Sequence, residues 1–268
     1  MKTMLCGTTG GGGGSASYKL IYFDIAGKAE AIRLMFAFTG MAFEDYRFSS
    51  REEFMEMKAS GSLMRARGVA ARREGRAIDR RRRRFGQVPA LEVTTGEQKK
   101  ILNQSNAILR YIAKMAPAHE LYPLDAFEAA RVDAICDQEA DALSGLRVSK
   151  YKERFGFGFL ADEANAPLLA DVQKNVNDEI IPRHLGLLAK HLEAGGTGWI
   201  AGTAAPSIAD FVWAPTIASL AGGASGDATV VDAFPTLLAF KDKFYALPAV
   251  EKYYADKAAA AKDAEAKP

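Results

Sequence analysis

The stretch that most constrains this chain is FGQVPALEVTTGEQKKILNQSNAILRYIAK, from Phe85 to Lys114. Val88 to Val93 is a short apolar run that follows a glycine, and Thr94, Thr95 and Gly96 supply a turn. Gln98 to Leu102 returns as the second strand of a hairpin. Asn103, Gln104 and Ser105 then open a helix on which Ile108, Leu109 and Ile112 recur at helical spacing. Pro89 stands where a strand should begin, and it has no N–H to give to a ladder. A cis Val88-Pro89 bond would turn the Val88 backbone outward, where it can pair with an extended peptide in the manner of strand addition. Ser105 would stand at a helix N-terminus, where backbone N–H groups and the dipole favour a carboxylate. A site of this kind suits a small acidic peptide.

Upstream, Tyr18 to Phe23 reads as a strand, Asp24 to Gly27 as a turn, and Lys28 to Thr39 as a helix closed by Gly40. Ala42 to Phe48 reads as a second strand. Strand, helix, strand, hairpin and helix is the order of a thioredoxin-like domain over 18–116. Pro117, His119 and Pro123 mark a connector, and from Asp125 on only helical periodicity remains. The reading gives one long helix from Phe127 to Tyr151 and another from Ala161 to Leu192, bent at Pro182. Ser207 to Asp210, SIAD, is a capping-box-like start to a further helix. Phe234 to Leu247 and Ala249 to Lys257 complete a helical domain over 124–257. Residues 1–17 read as a flexible Gly-rich leader and 258–268 as a fraying tail.

The net charge of +2 conceals an asymmetry. Residues 59–84 hold ten Arg, one Glu and one Asp, giving +8, so the rest of the chain carries 2 − 8 = −6. An acidic body argues against a nucleic-acid binder. The basic segment reads as a solvated insert whose like charges repel, so that deleting Gly61 to Arg83 should preserve folding. An anion-binding or targeting patch and retained non-coding sequence are the alternatives. No stretch approaches the roughly 20 apolar residues of a membrane span, so no membrane partner is expected. The two cysteines, Cys6 and Cys136, make neither a disulfide framework nor a metal site and fit a reducing, cytoplasmic compartment.

Several segments resemble the cytosolic glutathione transferases, in particular the sigma-like group that includes the haematopoietic prostaglandin D synthases. They are YKLIYFDIAGKAEAIR, FEDYRF, FGQVPALEV, QSNAILRYIAK, VDAICDQEAD and APSIADF. The resemblance spans Tyr18 to about Lys257. It implies a thioredoxin-like domain followed by a helical bundle, a homodimer, and glutathione as co-substrate with no other cofactor. It also implies transfer of the glutathione thiolate to small hydrophobic electrophiles.

A free thiol has a pKa of about 8.5, so such a site must favour the anion. The resemblance assigns that task to Tyr22, whose phenol would donate a hydrogen bond to the sulfur. Gln87, Val88 and Pro89 would hold the cysteinyl and glycyl backbone, and Gln104 and Ser105 the γ-glutamyl carboxylate. Lys28 stands in place of an Arg, a point charge in place of a planar fork. Phe54 stands in place of a Trp and lacks its N–H, and Lys58 would pair with the glycyl carboxylate. Asp141 would reach the γ-glutamyl amine of the neighbouring subunit. The electrophile would lie between Ile25 and Ala26 on one side and the helix from Leu143 to Tyr151 on the other. The same resemblance admits a glutathione-dependent isomerase or peroxidase, and a non-catalytic carrier or crystallin-like protein.

Overall fold

The computed structural model describes residues 16–63, 86–223 and 227–265. It divides the chain into two compact units, 1–116 and 117–268. Residues 1–15 of the expected leader and most of the Arg-rich insert lie outside the described residues, and Ser17 already belongs to the first strand.

The first unit is a four-stranded sheet of order β2-β1-β3-β4. Its strands are β1 (Ser17–Phe23), β2 (Glu44–Phe48), β3 (Ala90–Thr95) and β4 (Gln98–Asn103). β1 runs parallel to β2 and antiparallel to β3, and β3 and β4 form the hairpin. Helix α1 (Glu30–Thr39) connects the parallel pair, a connection that a tight turn cannot make. It ends on Gly40, whose φ of 66° suits a left-handed cap. Helix α2 (Arg51–Ala59) is capped by Ser50, whose side chain accepts from the Glu53 N–H, and α3 (Ser105–Met115) follows β4.

Strand residues two apart share a face. Ile21, Ala90 and Ile101 therefore meet on one side of the sheet with Phe48 and Leu63, and Phe23, Phe54, Met57 and Val88 pack against them. Leu63 corrects the reading of the insert, because it is fully buried within this cluster. The solvated stretch cannot begin at residue 59, and a deletion starting at Gly61 removes a core side chain. Losing a buried leucine costs about 2–5 kcal/mol.

The second unit is helical: α4 (Ala126–Ala142), α5 (Ser144–Lys150), α6 (Ala166–Asn175), α7 (Ile181–Gly195), α8 (Ile208–Ala221), α9 (Pro235–Tyr245) and α10 (Pro248–Glu265). Both long helices expected from periodicity are broken. The first stops at Ala142, where the Ser144 hydroxyl donates to the Asp141 carbonyl. Gly145 lies so close to Val176 that a Cβ there would stand 2.7 Å from its Cγ2. A Ser-Gly pair is a common kink site, and here it admits a neighbouring side chain. The second is interrupted by 3₁₀ turns over 158–165 and by a π turn at Val176–Ile180. Pro182 lies in the first turn of α7, where its missing N–H is tolerated. Helix α10 continues to Glu265 through the segment read as a tail, as its alanine-rich sequence favours.

Helix α8 is the centre of this unit. Ile208 to Ala214, Ile217 and Leu220 are all buried, and the Trp213 indole donates to the Ile135 carbonyl at 2.7 Å. It starts with the capping box that the SIAD spacing predicts. Asp210, fully buried, accepts from the N–H groups of Ser207 (2.6 Å) and Ile200 (2.8 Å) and from the Ser207 hydroxyl (3.0 Å). Burial outweighs these donors and pushes the Asp210 carboxyl from 3.8 up to about 6. A folded-state value above the unfolded one stabilises below about pH 4, and that stabilisation is lost as pH rises through about 6. Relative to the non-titrating Asp210→Asn variant, the protein should therefore lose about 3 kcal/mol of stability between pH 3.8 and 7, a shift of about two pK units. Urea unfolding of both proteins across that range checks it, and a difference independent of pH would contradict it.

Candidate functional site

Three chain segments converge at one end of the sheet in the first unit. Ile21 of β1 is opposite Ala90 of β3, and Ala90 is opposite Asn103 of β4. The next residues outward along the three strands are therefore Tyr22, Pro89 and Gln104. The Val88-Pro89 bond is cis. Tyr22, the Val88-Pro89 unit and Gln104-Ser105 are thus brought to the same edge.

The Tyr22 side chain is buried, and its hydroxyl accepts a 3.2 Å hydrogen bond from the Lys28 backbone N–H. That N–H belongs to the 3₁₀ turn Gly27–Ala29, which leads directly into α1. The phenol oxygen therefore faces the positive end of a helix. A hydroxyl that accepts from such a donor becomes a better donor itself. Gly27 makes the approach possible. Its φ is 45°, and a Cβ there would lie 2.6 Å from the Tyr22 hydroxyl oxygen.

The loop from Phe23 to Gly27 is held from below by Arg33. This guanidinium is completely buried. It donates to the carbonyls of Ile25 (2.8 Å), Ala26 (3.4 Å) and Phe23 (3.4 Å). It also meets the carboxylates of Asp45 at 3.0 Å and Glu30 at 3.3 Å. Arg47 bridges Asp45 and Asp24, at 2.7 and 2.5 Å. A buried guanidinium with its planar fork filled on several sides is tolerable where an unpaired one is not. Arg33 was absent from the residues singled out in the sequence. The sequence signal for it is a charged side chain set directly between Ile32 and Leu34, in the apolar run that follows Glu30.

At the opposite flank, the Asn103 amide donates to the Gln87 carbonyl at 2.8 Å, and Gln104 Nε2 donates to Gln87 Oε1 at 3.3 Å. Gln104 has φ 75° and ψ 115°, in a region sparsely populated by non-glycine residues. Such a conformation costs about 1–3 kcal/mol and tends to occur at functional positions. It immediately precedes Ser105, the first residue of α3, whose N-terminal N–H groups suit an anion.

The other expected residues are placed less tellingly. The Lys28 side chain is exposed. Phe54 packs half-buried against Phe23 and Phe48, at ring distances of 5.1 and 5.4 Å, on the flank of the core cluster. Lys58 is exposed in the last turn of α2, with Nζ 5.9 Å from the Phe54 ring. Asp141 is exposed in the last turn of α4, in the second unit. That unit also exposes Tyr151, Phe155, Phe157 and Phe159.

Comparison with known proteins agrees with this architecture. The family profile "Glutathione S-transferase, N-terminal domain" matches residues 79–114, and "Glutathione S-transferase, C-terminal domain" matches 159–257. A probable glutathione S-transferase 5 of Caenorhabditis elegans is 30% identical over 240 residues, covering 88% of this chain and 95% of its own. The haematopoietic prostaglandin D synthase of Gallus gallus is 29% identical over 236 residues, covering 87% and 93%. The crystal structure of a Nu-class transferase from Haemonchus contortus superimposes with a TM-score of 0.61 at 28% identity, covering 90% and 96%. The fold and the matched relatives thus define a thioredoxin-like domain joined to a helical domain in the glutathione transferase manner. The chain belongs to the glutathione S-transferase family, and is similar to members that include a prostaglandin D synthase and a Nu-class transferase.

The contact between residue 27 and the Tyr22 hydroxyl gives a direct test. Gly27→Ala should cost about 2–3 kcal/mol in urea unfolding, from both the positive φ and the displaced phenol. Gly40→Ala, at a φ of 66° but with open space around its Cβ, should cost only about 1 kcal/mol. Equal losses would mean that Tyr22 does not press on residue 27.

Proposed function

We propose that this protein is a glutathione transferase in which Tyr22 stabilises the glutathione thiolate for attack on small hydrophobic electrophiles. The observation that carries the reading is the Lys28 N–H bound to the Tyr22 hydroxyl, at the sheet edge that also presents Val88-Pro89 and Gln104-Ser105. The phenol donates to sulfur while its oxygen accepts from the helix start, so negative charge on sulfur is met by a polarised O–H. The thiolate then adds to an electrophilic carbon. Its lone pair forms the new C–S bond, and for an aryl halide the halide departs with the displaced electron pair.

In this reading Val88 pairs with the cysteinyl backbone, and Gln87 and Pro89 complete the edge against which the peptide lies. Gln104 and Ser105 take the γ-glutamyl carboxylate at the α3 N-terminus. Lys58 serves the glycyl carboxylate. Lys28 supplies positive potential, and Phe54 supports the cluster under Val88. Asp141 serves the neighbouring subunit of a homodimer. A cytoplasmic detoxifying enzyme fits this chemistry, with isomerase or peroxidase turnover open to the same thiolate.

A non-catalytic glutathione carrier is the rival. It is favoured by Phe54, which has no N–H to give a ligand and packs half-buried against the core cluster. Retention on immobilised glutathione, followed by conjugation of an aryl halide, separates the two. The transferase should be retained and should turn over. Tyr22→Phe should still be retained but lose about 100-fold in kcat/KM, typical of removing one donor to a developing anion. Retention of the wild-type protein without turnover would establish the carrier.

A further inference from the structure

We infer that Asn103 is a positioning residue that aims the Val88 N–H at the peptide ligand. The inference rests on the peptide-binding half of the function proposed above. Asn103 is the last residue of β4, paired with Ala90 at the start of β3, and it is 5% exposed. Its Nδ2 donates to the Gln87 carbonyl at 2.8 Å. The assignment of nitrogen and oxygen is fixed by that partner, since a carbonyl only accepts.

The Gln87–Val88 peptide is trans, because the cis bond among the described residues is the next one along. In a planar trans peptide the C=O and the following N–H point in opposite directions. A Gln87 carbonyl held against Asn103 therefore turns the Val88 N–H away from Asn103 and β4. That N–H is the donor an extended peptide needs for strand-like pairing. Without the clamp, the peptide plane can rotate about its two flanking bonds and take the donor with it.

The rest of the side chain supports a specific purpose. Asn103 Oδ1 is buried without a hydrogen-bond partner among the described residues. A leucine would fill the position next to Ile101 and Ala90 without this cost. A half-satisfied amide in an apolar setting is a local rule broken, and such breaks concentrate at functional positions. Gln104 adds a second tether, from its Nε2 to Gln87 Oε1. That bond fixes the Gln87 side chain and leaves its carbonyl to Asn103.

The test uses S-methylglutathione, a thioether with no thiol to ionise, so that binding is read apart from Tyr22 chemistry. Titration calorimetry of the full chain should give an affinity about 10-fold weaker for Asn103→Leu, equivalent to one lost hydrogen bond of about 1.4 kcal/mol. Tyr22→Phe should bind S-methylglutathione as the wild type does. Asn103→Asp, which has no donor when ionised, should bind weakly at neutral pH. It should recover affinity as its carboxyl is protonated and can donate again. In the conjugation assay Asn103→Leu should raise KM for glutathione and leave KM for the aryl halide unchanged.

If Asn103→Leu and Asn103→Asp bind S-methylglutathione like the wild type, the inference is overturned. Loss of melting temperature with an unchanged Kd would likewise reduce Asn103 to a core residue. A wild-type protein that binds no S-methylglutathione would remove the peptide site itself, and this inference with it. A wild-type protein that binds S-methylglutathione but does not turn over would remove only the role of Tyr22 and leave this inference standing.

Discussion

The hydrogen bond from the Lys28 N–H to the Tyr22 hydroxyl is the contact around which the first unit is arranged. It joins the end of a central strand to the start of a helix. Its geometry depends on Gly27, which leaves room for the phenol, and on Arg33, which gathers three loop carbonyls and two carboxylates beneath it. Burying a guanidinium is costly unless its donors are filled. The loop carbonyls fill them, so the cost of burial becomes a restraint on the loop that aims Tyr22.

The other flank of the edge is built from amides. Asn103 and Gln104 both reach Gln87, one to its carbonyl and one to its side chain. The left-handed φ of Gln104 places Ser105 at the head of α3. Each flank thus ends at the start of a helix, with the Lys28 N–H at the phenol in one case and the N-terminal N–H groups of α3 in the other. The helical unit has its own anchor in Asp210, which satisfies the start of α8 and one N–H of the preceding loop.

Much of this was legible in the sequence because it is local. Strand, turn and helix signals from Tyr18 to Lys114 lie within a few residues of one another. The cis Val88-Pro89 bond, the opening of α3 and the SIAD cap are set by neighbouring residues. What escaped the sequence depends on distant partners. Arg33 looks misplaced on an apolar helix until Asp45 and the loop carbonyls are seen around it. Leu63 looks like part of a basic insert until Ile101 and Phe48 close over it. Asn103 reads as a helix opener, yet its side chain is spent on a carbonyl 16 residues earlier. The break at Leu143 coincides with the close approach of Gly145 to Val176, which helical periodicity alone does not register.

The central claim is that the Tyr22 hydroxyl lowers the pKa of a bound thiol. The most direct measurement is the ultraviolet thiolate absorbance of enzyme-bound glutathione, titrated with pH in the wild type and in Tyr22→Phe. The account predicts a bound thiol that ionises one to two units below the free value of about 8.5, returning towards that value when the phenol oxygen is removed. Identical titration curves for the two proteins would contradict it.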